Sequence, residues 1–116
     1  MEEIIFLWSW RNVEHIGKHG VEPDEAEYVV KDAKRPYPEA TGDEKWAVWG
    51  ATAAGRLLQV IFVRVRIEGV EADEFQQLEW HERAALEDGE AAVRIIHARD
   101  LTDSEKRRLR RRKRRS

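Results

Sequence analysis

Arg94-Ile95-Ile96-His97-Ala98-Arg99-Asp100-Leu101-Thr102-Asp103-Ser104-Glu105 reads as a strand that passes directly into a capped helix. The apolar and β-branched residues from Ala92 to Arg99 suit a pleated, half-buried surface, so a strand is predicted there. Strict alternation puts Val93, Ile95, His97 and Arg99 on one face and Arg94, Ile96 and Ala98 on the other, so Arg94 and Arg99 are expected to point in opposite directions. Thr102-Asp103-Ser104-Glu105 is a capping box, in which the Thr hydroxyl and the Glu carboxylate each satisfy a backbone N–H that the first helical turn leaves unpaired. A C-terminal helix follows from it.

Working back from this stretch, Lys45 to Gly50 and Leu57 to Val65 are rich in Trp, Val, Ile and Phe, and Ala53-Ala54-Gly55 supplies a turn, which predicts a β-hairpin. Pro36 and Pro38 argue against helix before it. Pro23 with Asp24 and Glu25 opens a helix whose inward stripe is Ala26, Val29, Val30 and Ala33. Ser9 is an N-cap for an earlier helix starting near Trp10, with Trp10, Val13 and Ile16 on one face and Gly20 closing it at about His19. Ile4 to Trp8 reads as a first strand. Among the tryptophans, Trp8, Trp10 and Trp46 fit a core, while Trp49 alternates outward, where it suits base stacking. The sum is an α+β domain over residues 1–105, two N-terminal helices on a small, mainly antiparallel sheet, followed by a basic C-terminal helix or tail at 106–116.

Charge is divided unevenly. The formal net charge is −2, yet Lys106 to Arg115 holds nine Lys or Arg in ten positions, and without them 12 basic residues face 23 acidic ones. Glu68 to Glu90 carries nine carboxylates against the single Arg83 and separates the last two strands as an acidic insertion. Phe75, Leu78, Ala85 and Leu86 fall near helical spacing, which favours an amphipathic helix in it, although Asp88-Gly89 also suits a hairpin turn. Two blocks of opposite sign in one small domain are expected to meet, so contact between insertion and tail is anticipated. The absence of Cys excludes a disulfide framework and a thiolate metal site. Met1 is followed by two acids and the run Ile4 to Trp8 is short for a leader or a membrane span, so a cytoplasmic protein with no membrane role is expected.

Residues able to act on a phosphodiester cluster at the ends of predicted elements. A cyclising ribonuclease removes a proton from a ribose 2′-OH, stabilises a doubly charged phosphorane and protonates a leaving 5′-oxygen, so cations and a proton-transfer group must share one phosphate. Arg56 and Arg99 are candidate phosphate ligands, Lys18 and His19 candidate flanking groups, and His97 or Glu44 a candidate proton carrier. Lys45, Trp49, Arg107, Arg108, Arg110 and Arg111 are candidate RNA contacts. Plainer roles stand beside these. Lys18 follows Glu14 at i+4, His19 suits a helix C-terminus, Arg56 an exposed hairpin, His97 a half-buried core and Glu44 a solvated strand edge. His15 and His19 share a helical face, but the Glu that a zinc hydrolase carries after its first His is missing, so neither a metal nor a cofactor is expected.

Trp10-x-Asn12-x-x-His15-x-x-Lys18-His19-Gly20-Val21, Glu25-Ala26, Gly55-Arg56 and Arg94-Ile95-Ile96-His97-Ala98-Arg99-Asp100-Leu101-Thr102-x-x-Glu105 together resemble the BrnT family of bacterial type II toxins. The likeness covers most of residues 9 to 109 apart from the acidic insertion, where family members usually have a short turn. It implies a RelE-like fold, an endoribonuclease that halts translation, and neutralisation by a cognate antitoxin, with a homodimer inside the toxin–antitoxin complex. The alternative is a RelE-like module without catalysis that holds nucleic acid or protein through its basic tail.

Overall fold

Leu57–Val65 (β4) is the centre of a five-stranded mixed sheet because its even-numbered residues Leu58, Val60 and Phe62 are all buried on one face. In this computed structural model, which describes residues 4–115, β4 pairs antiparallel with Lys45–Ala51 (β3) on one side and Ala92–Asp100 (β5) on the other. Glu39–Gly42 (β2) extends the sheet beyond β3, and Phe6–Leu7 (β1) adds a short parallel edge to β5, giving the order β1-β5-β4-β3-β2. The α+β class, the hairpin and the breaks at Pro36 and Pro38 agree with the sequence reading. Strand β2 was not anticipated.

Trp10–Gly17 (α1) and Pro23–Lys31 (α2) cover the first face of the sheet. Ile16, Val21, Ala26, Val29 and Val30 meet Val48, Leu58, Val60, Phe62, Ile95 and Ala98 in one apolar core. α2 passes over β3 at Gly50, where a Cβ would stand 3.4 Å from Val29 Cγ1, in ordinary van der Waals contact. The Ser9 hydroxyl accepts from the Asn12 N–H, as its position predicts. The helix stops at Gly17 rather than His19, with Lys18 as C-cap and Gly20 in the left-handed region at φ +69°. The inward assignment of Trp10 and Val13 is corrected as well: Trp10 is 69% exposed and Val13 38%. Three residues advance a helix by only 300°, so a run at that spacing drifts about 60° per step and leaves the buried side within two steps.

The second face is covered in two separate parts. Ile5 and Leu7, alternating with Ile4, Phe6 and Trp8, turn to this side and pack with Leu86, Ala92, Phe75 and Leu78. The acidic insertion is therefore folded onto the sheet. It forms a 3₁₀ turn at Ile67–Gly69 and two short helices, Ala72–Gln77 (α3) and Trp80–Glu87 (α4), rather than one amphipathic helix. Several of its acids do local work, because Glu71 with Glu74 and Glu79 with Glu82 form capping boxes at the two helix starts. The other part of this face is covered by Asp103–Arg115 (α5), which begins at the end of β5 and crosses toward β2.

The alternation predicted for the last strand fails at one residue. Phe62 pairs with Ile95 and Ile61 with His97, so Ile96 is an unpaired bulge. Ile95 and Ala98 consequently both enter the first core. Arg94 and Arg99, opposite Val63 and Gln59, both lie on the second face, which corrects the expectation that they diverge.

The tail is not a separate unit, since the 105/106 boundary falls inside α5 and Leu109 is buried. Arg108 lies over the Trp49 ring, and Arg112 bonds Tyr37 and Glu39 at the β2 side of the sheet. The insertion sits at the other edge, on β1 and β5. Four interstrand spacings of about 4.8 Å separate these edges, roughly 19 Å. The described part of α5 therefore packs toward the β2 side, away from the edge that carries the insertion. Among the described residues, no helix is long and apolar enough to cross a membrane.

Candidate functional site

The end of α1 and the end of β5 meet at one corner of the sheet. β1 covers only Val93 and Arg94, and α1 packs along the rest of β5. His15 lies in the last part of α1 and His19 in the turn that follows it, and their ring centroids are 6.5 Å apart. Both meet His97, whose ring centroid lies 5.7 Å from His15 and 5.3 Å from His19. Burial holds the His97 imidazole below its ordinary pKa, and His19, His15 and Arg99 act in the same direction. His97 is therefore neutral at pH 7 and able to accept a proton. His15, exposed on α1, is the member that sequence reasoning left out of the site, although its shared face with His19 was the available signal.

Arg56 occupies the same corner and is wholly engaged. Its Nε donates to Asp100 Oδ1 at 2.7 Å and one terminal nitrogen to Asp100 Oδ2 at 2.9 Å. The terminal nitrogens also donate to the Gly20 carbonyl at 2.8 Å, the His19 carbonyl at 3.2 Å and Glu25 Oε1 at 3.4 Å. These five bonds use all five N–H donors of a guanidinium. Arg56 thus ties the open carbonyls after α1 to α2 and to the end of β5. The Arg56 guanidinium holds the Asp100 carboxyl below its ordinary range.

Arg99 makes a two-point ion pair with Glu105, at 2.7 and 2.9 Å, and donates to the Asp100 carbonyl at 3.0 Å. Glu105 also accepts from the Thr102 N–H at 2.8 Å, and its own N–H donates to Thr102 Oγ1 at 3.2 Å, so the predicted capping box and the strand-end arginine share one carboxylate. The Arg99 bond and the cap, acting against desolvation, hold the Glu105 pKa down to about 2. Arg99 uses three of its donors inward, and two remain among the described residues. Lys18 is exposed on the same corner.

The other predicted residues lie elsewhere. Glu44, at φ +61°, sits in the β2–β3 turn, and Lys45 opens β3, paired with Val63 at the opposite end of the hairpin from Arg56. Ile61 of β4 pairs with both Ala47 and His97, so Glu44 lies three residues along and two strands across from His97, about 14 Å away, and does not join it. Trp49 faces outward as expected, but its ring stacks on Tyr37 at 6.2 Å and is covered by Arg108 and Arg112. A base would have to displace α5 to reach it. Glu105, Arg108, Leu109 and Arg112 form the stripe of α5 turned to the sheet, which leaves Arg107, Arg110 and Arg111 exposed on its outer side. Among the described residues, no group of three or more His, Cys, Asp or Glu is arranged to hold a metal ion. No family model, curated protein or solved structure matches the chain.

Proposed function

We propose that the chain is a metal-independent endoribonuclease, a RelE-like toxin of the BrnT type restrained by a cognate antitoxin. The observation that carries this reading is the group of three imidazoles, His15, His19 and His97, beside the half-open Arg99. In the proposed step His97 takes the proton from a ribose 2′-OH as the 2′-oxygen bonds to phosphorus. His15 or His19 supplies a proton to the 5′-oxygen as the P–O5′ bond breaks. The products are a 2′,3′-cyclic phosphate and a 5′-OH, and the remaining donors of Arg99, with Lys18, balance the phosphorane charge. Arg56 has no donor left for a phosphate, so it acts by holding the corner rather than by touching RNA.

The purified chain incubated with RNA in excess chelator is expected to produce 2′,3′-cyclic phosphate ends. His97→Asn should slow that reaction by roughly 10²-fold or more with an unchanged thermal midpoint. Wild-type protein that cleaves only with added divalent metal, or not at all, overturns the reading.

The full internal use of Arg56 favours a second reading, a non-catalytic module that holds nucleic acid through Arg107, Arg110 and Arg111. Under it, RNA is bound but left intact. Replacing these three by Gln then lowers the log–log salt slope of binding by about 2, at about 0.7 per single-strand phosphate neutralised.

A further inference from the structure

A cleft of about 560 Å³ opens between the start of α1 and the acidic insertion, where Trp8, Trp10, Glu71, Asp73 and Glu74 stand among its lining with Arg11 and Arg94. Trp10 is 69% exposed there, and Val13, one turn on and outside the cleft, is 38% exposed. The acidic wall of the cleft is partly committed: Glu74 pairs with Arg94 at 3.0 Å and Glu71 caps α3. Arg11 lies over the Trp10 ring at 5.7 Å, so this indole already attracts a guanidinium. The whole insertion still carries an excess of eight negative charges.

The matching surface is on the same chain. Arg107, Arg110 and Arg111, spaced i, i+3 and i+4, form one exposed stripe of α5, and the buried Leu109 keeps that helix docked while the stripe stays outward. The inward stripe shows how α5 treats an indole, since Arg108 and Arg112 lie 5.2 and 5.7 Å from the Trp49 centroid. The two surfaces cannot meet within one molecule, because α5 runs toward β2 and the cleft sits at the β1 edge. A net charge of only −2 sets up little repulsion between copies.

We infer that the outer stripe of α5 in one copy docks into the Trp10 cleft of a second copy. The two contacting surfaces differ, so the association is head-to-tail and continues from copy to copy instead of closing as a symmetric dimer. This inference does not depend on whether the chain cleaves RNA.

Sedimentation velocity of the intact chain tests it. At an ionic strength of about 0.01 M, where the Debye length is about 30 Å, the weight-average mass should rise steadily with protein concentration, and at about 1 M, where it is about 3 Å, it should fall to that of the monomer. Two variants divide the interface: Arg107→Gln/Arg110→Gln/Arg111→Gln removes the stripe, and Trp10→Ala/Asp73→Asn removes the free part of the cleft wall and leaves the Glu71 cap and the Glu74–Arg94 pair in place. Each alone should weaken self-association at least about tenfold, the loss of two or three exposed contacts, with an unchanged thermal midpoint. Mixed in equal amounts at low salt, they should form dimers and nothing larger, since one intact stripe then meets one intact cleft. A wild type that stays monomeric at low salt, a mixture that stays monomeric, or one that grows past dimers as unspecific charge pairing would, overturns the inference.

Discussion

Arg56→Ala should lower folding stability by about 2–3 kcal/mol, less than the full loss from breaking a buried pair because the partners are partly wet. The Arg56 side chain is 29% exposed and that of Asp100 57%, so water can replace some of what is lost. It cannot replace all of it. The substitution leaves the His19 and Gly20 carbonyls, Glu25 and Asp100 without their shared donor, and these belong to the end of α1, to α2 and to β5. Arg56→Lys keeps the charge but offers three donors at one point in place of a planar fork, so it should recover less than half of the loss. Urea unfolding of the three proteins measures this directly. A change under about 0.5 kcal/mol for Arg56→Ala, within the range of an ordinary surface substitution, would mean that the clamp holds nothing together.

Glu105→Gln is expected to cost about 2 kcal/mol at neutral pH and to flatten the acid side of the stability curve. The Glu105 side chain is 11% exposed, and its carboxylate serves both Arg99 and the first turn of α5. Its folded pKa of about 2 lies below the ordinary 4.5, so folding favours the charged form. That contribution is complete above about pH 4.5 and is lost as the pH falls toward 2. Asp100 and Glu74, lowered by Arg56 and Arg94 respectively, act in the same direction. The wild type should therefore lose stability steeply over this window, and Glu105→Gln should lose less while starting lower. Parallel curves for the two proteins between pH 4.5 and 2 would show that acid acts through other groups.

Elements whose signals are local were legible in the sequence. Ser9, Pro23 and the Thr102–Glu105 box each act on backbone groups within one turn, and each stands where it was read. The bulge at Ile96 depends on how β4 meets β5, and no residue in the strand announces it. Trp10 was misjudged because hydrophobicity says that a side chain gains from burial, not that a neighbour exists to bury it. The candidate site was legible in part. His19 and His97 meet and Arg99 acts on His97, while Glu44 and Lys45 were tied to them only by proximity to the hairpin and lie at its far end. The role of Arg56 was hidden because its partners at positions 19, 20, 25 and 100 come together only through the fold.

The unpaired Ile96 gives β5 one residue of slack. Its removal would leave Ile95 opposite Phe62 and His97 opposite Ile61 without reversing any side chain, because the pairings on either side already agree in parity. What the strand would lose is the coiling that a bulge adds to an otherwise regular ribbon. That coiling falls immediately before His97, whose ring meets His15 and His19. The extra residue is thus dispensable for which face is buried, so its omission should leave the sheet paired and act only on how the end of β5 is aimed at α1.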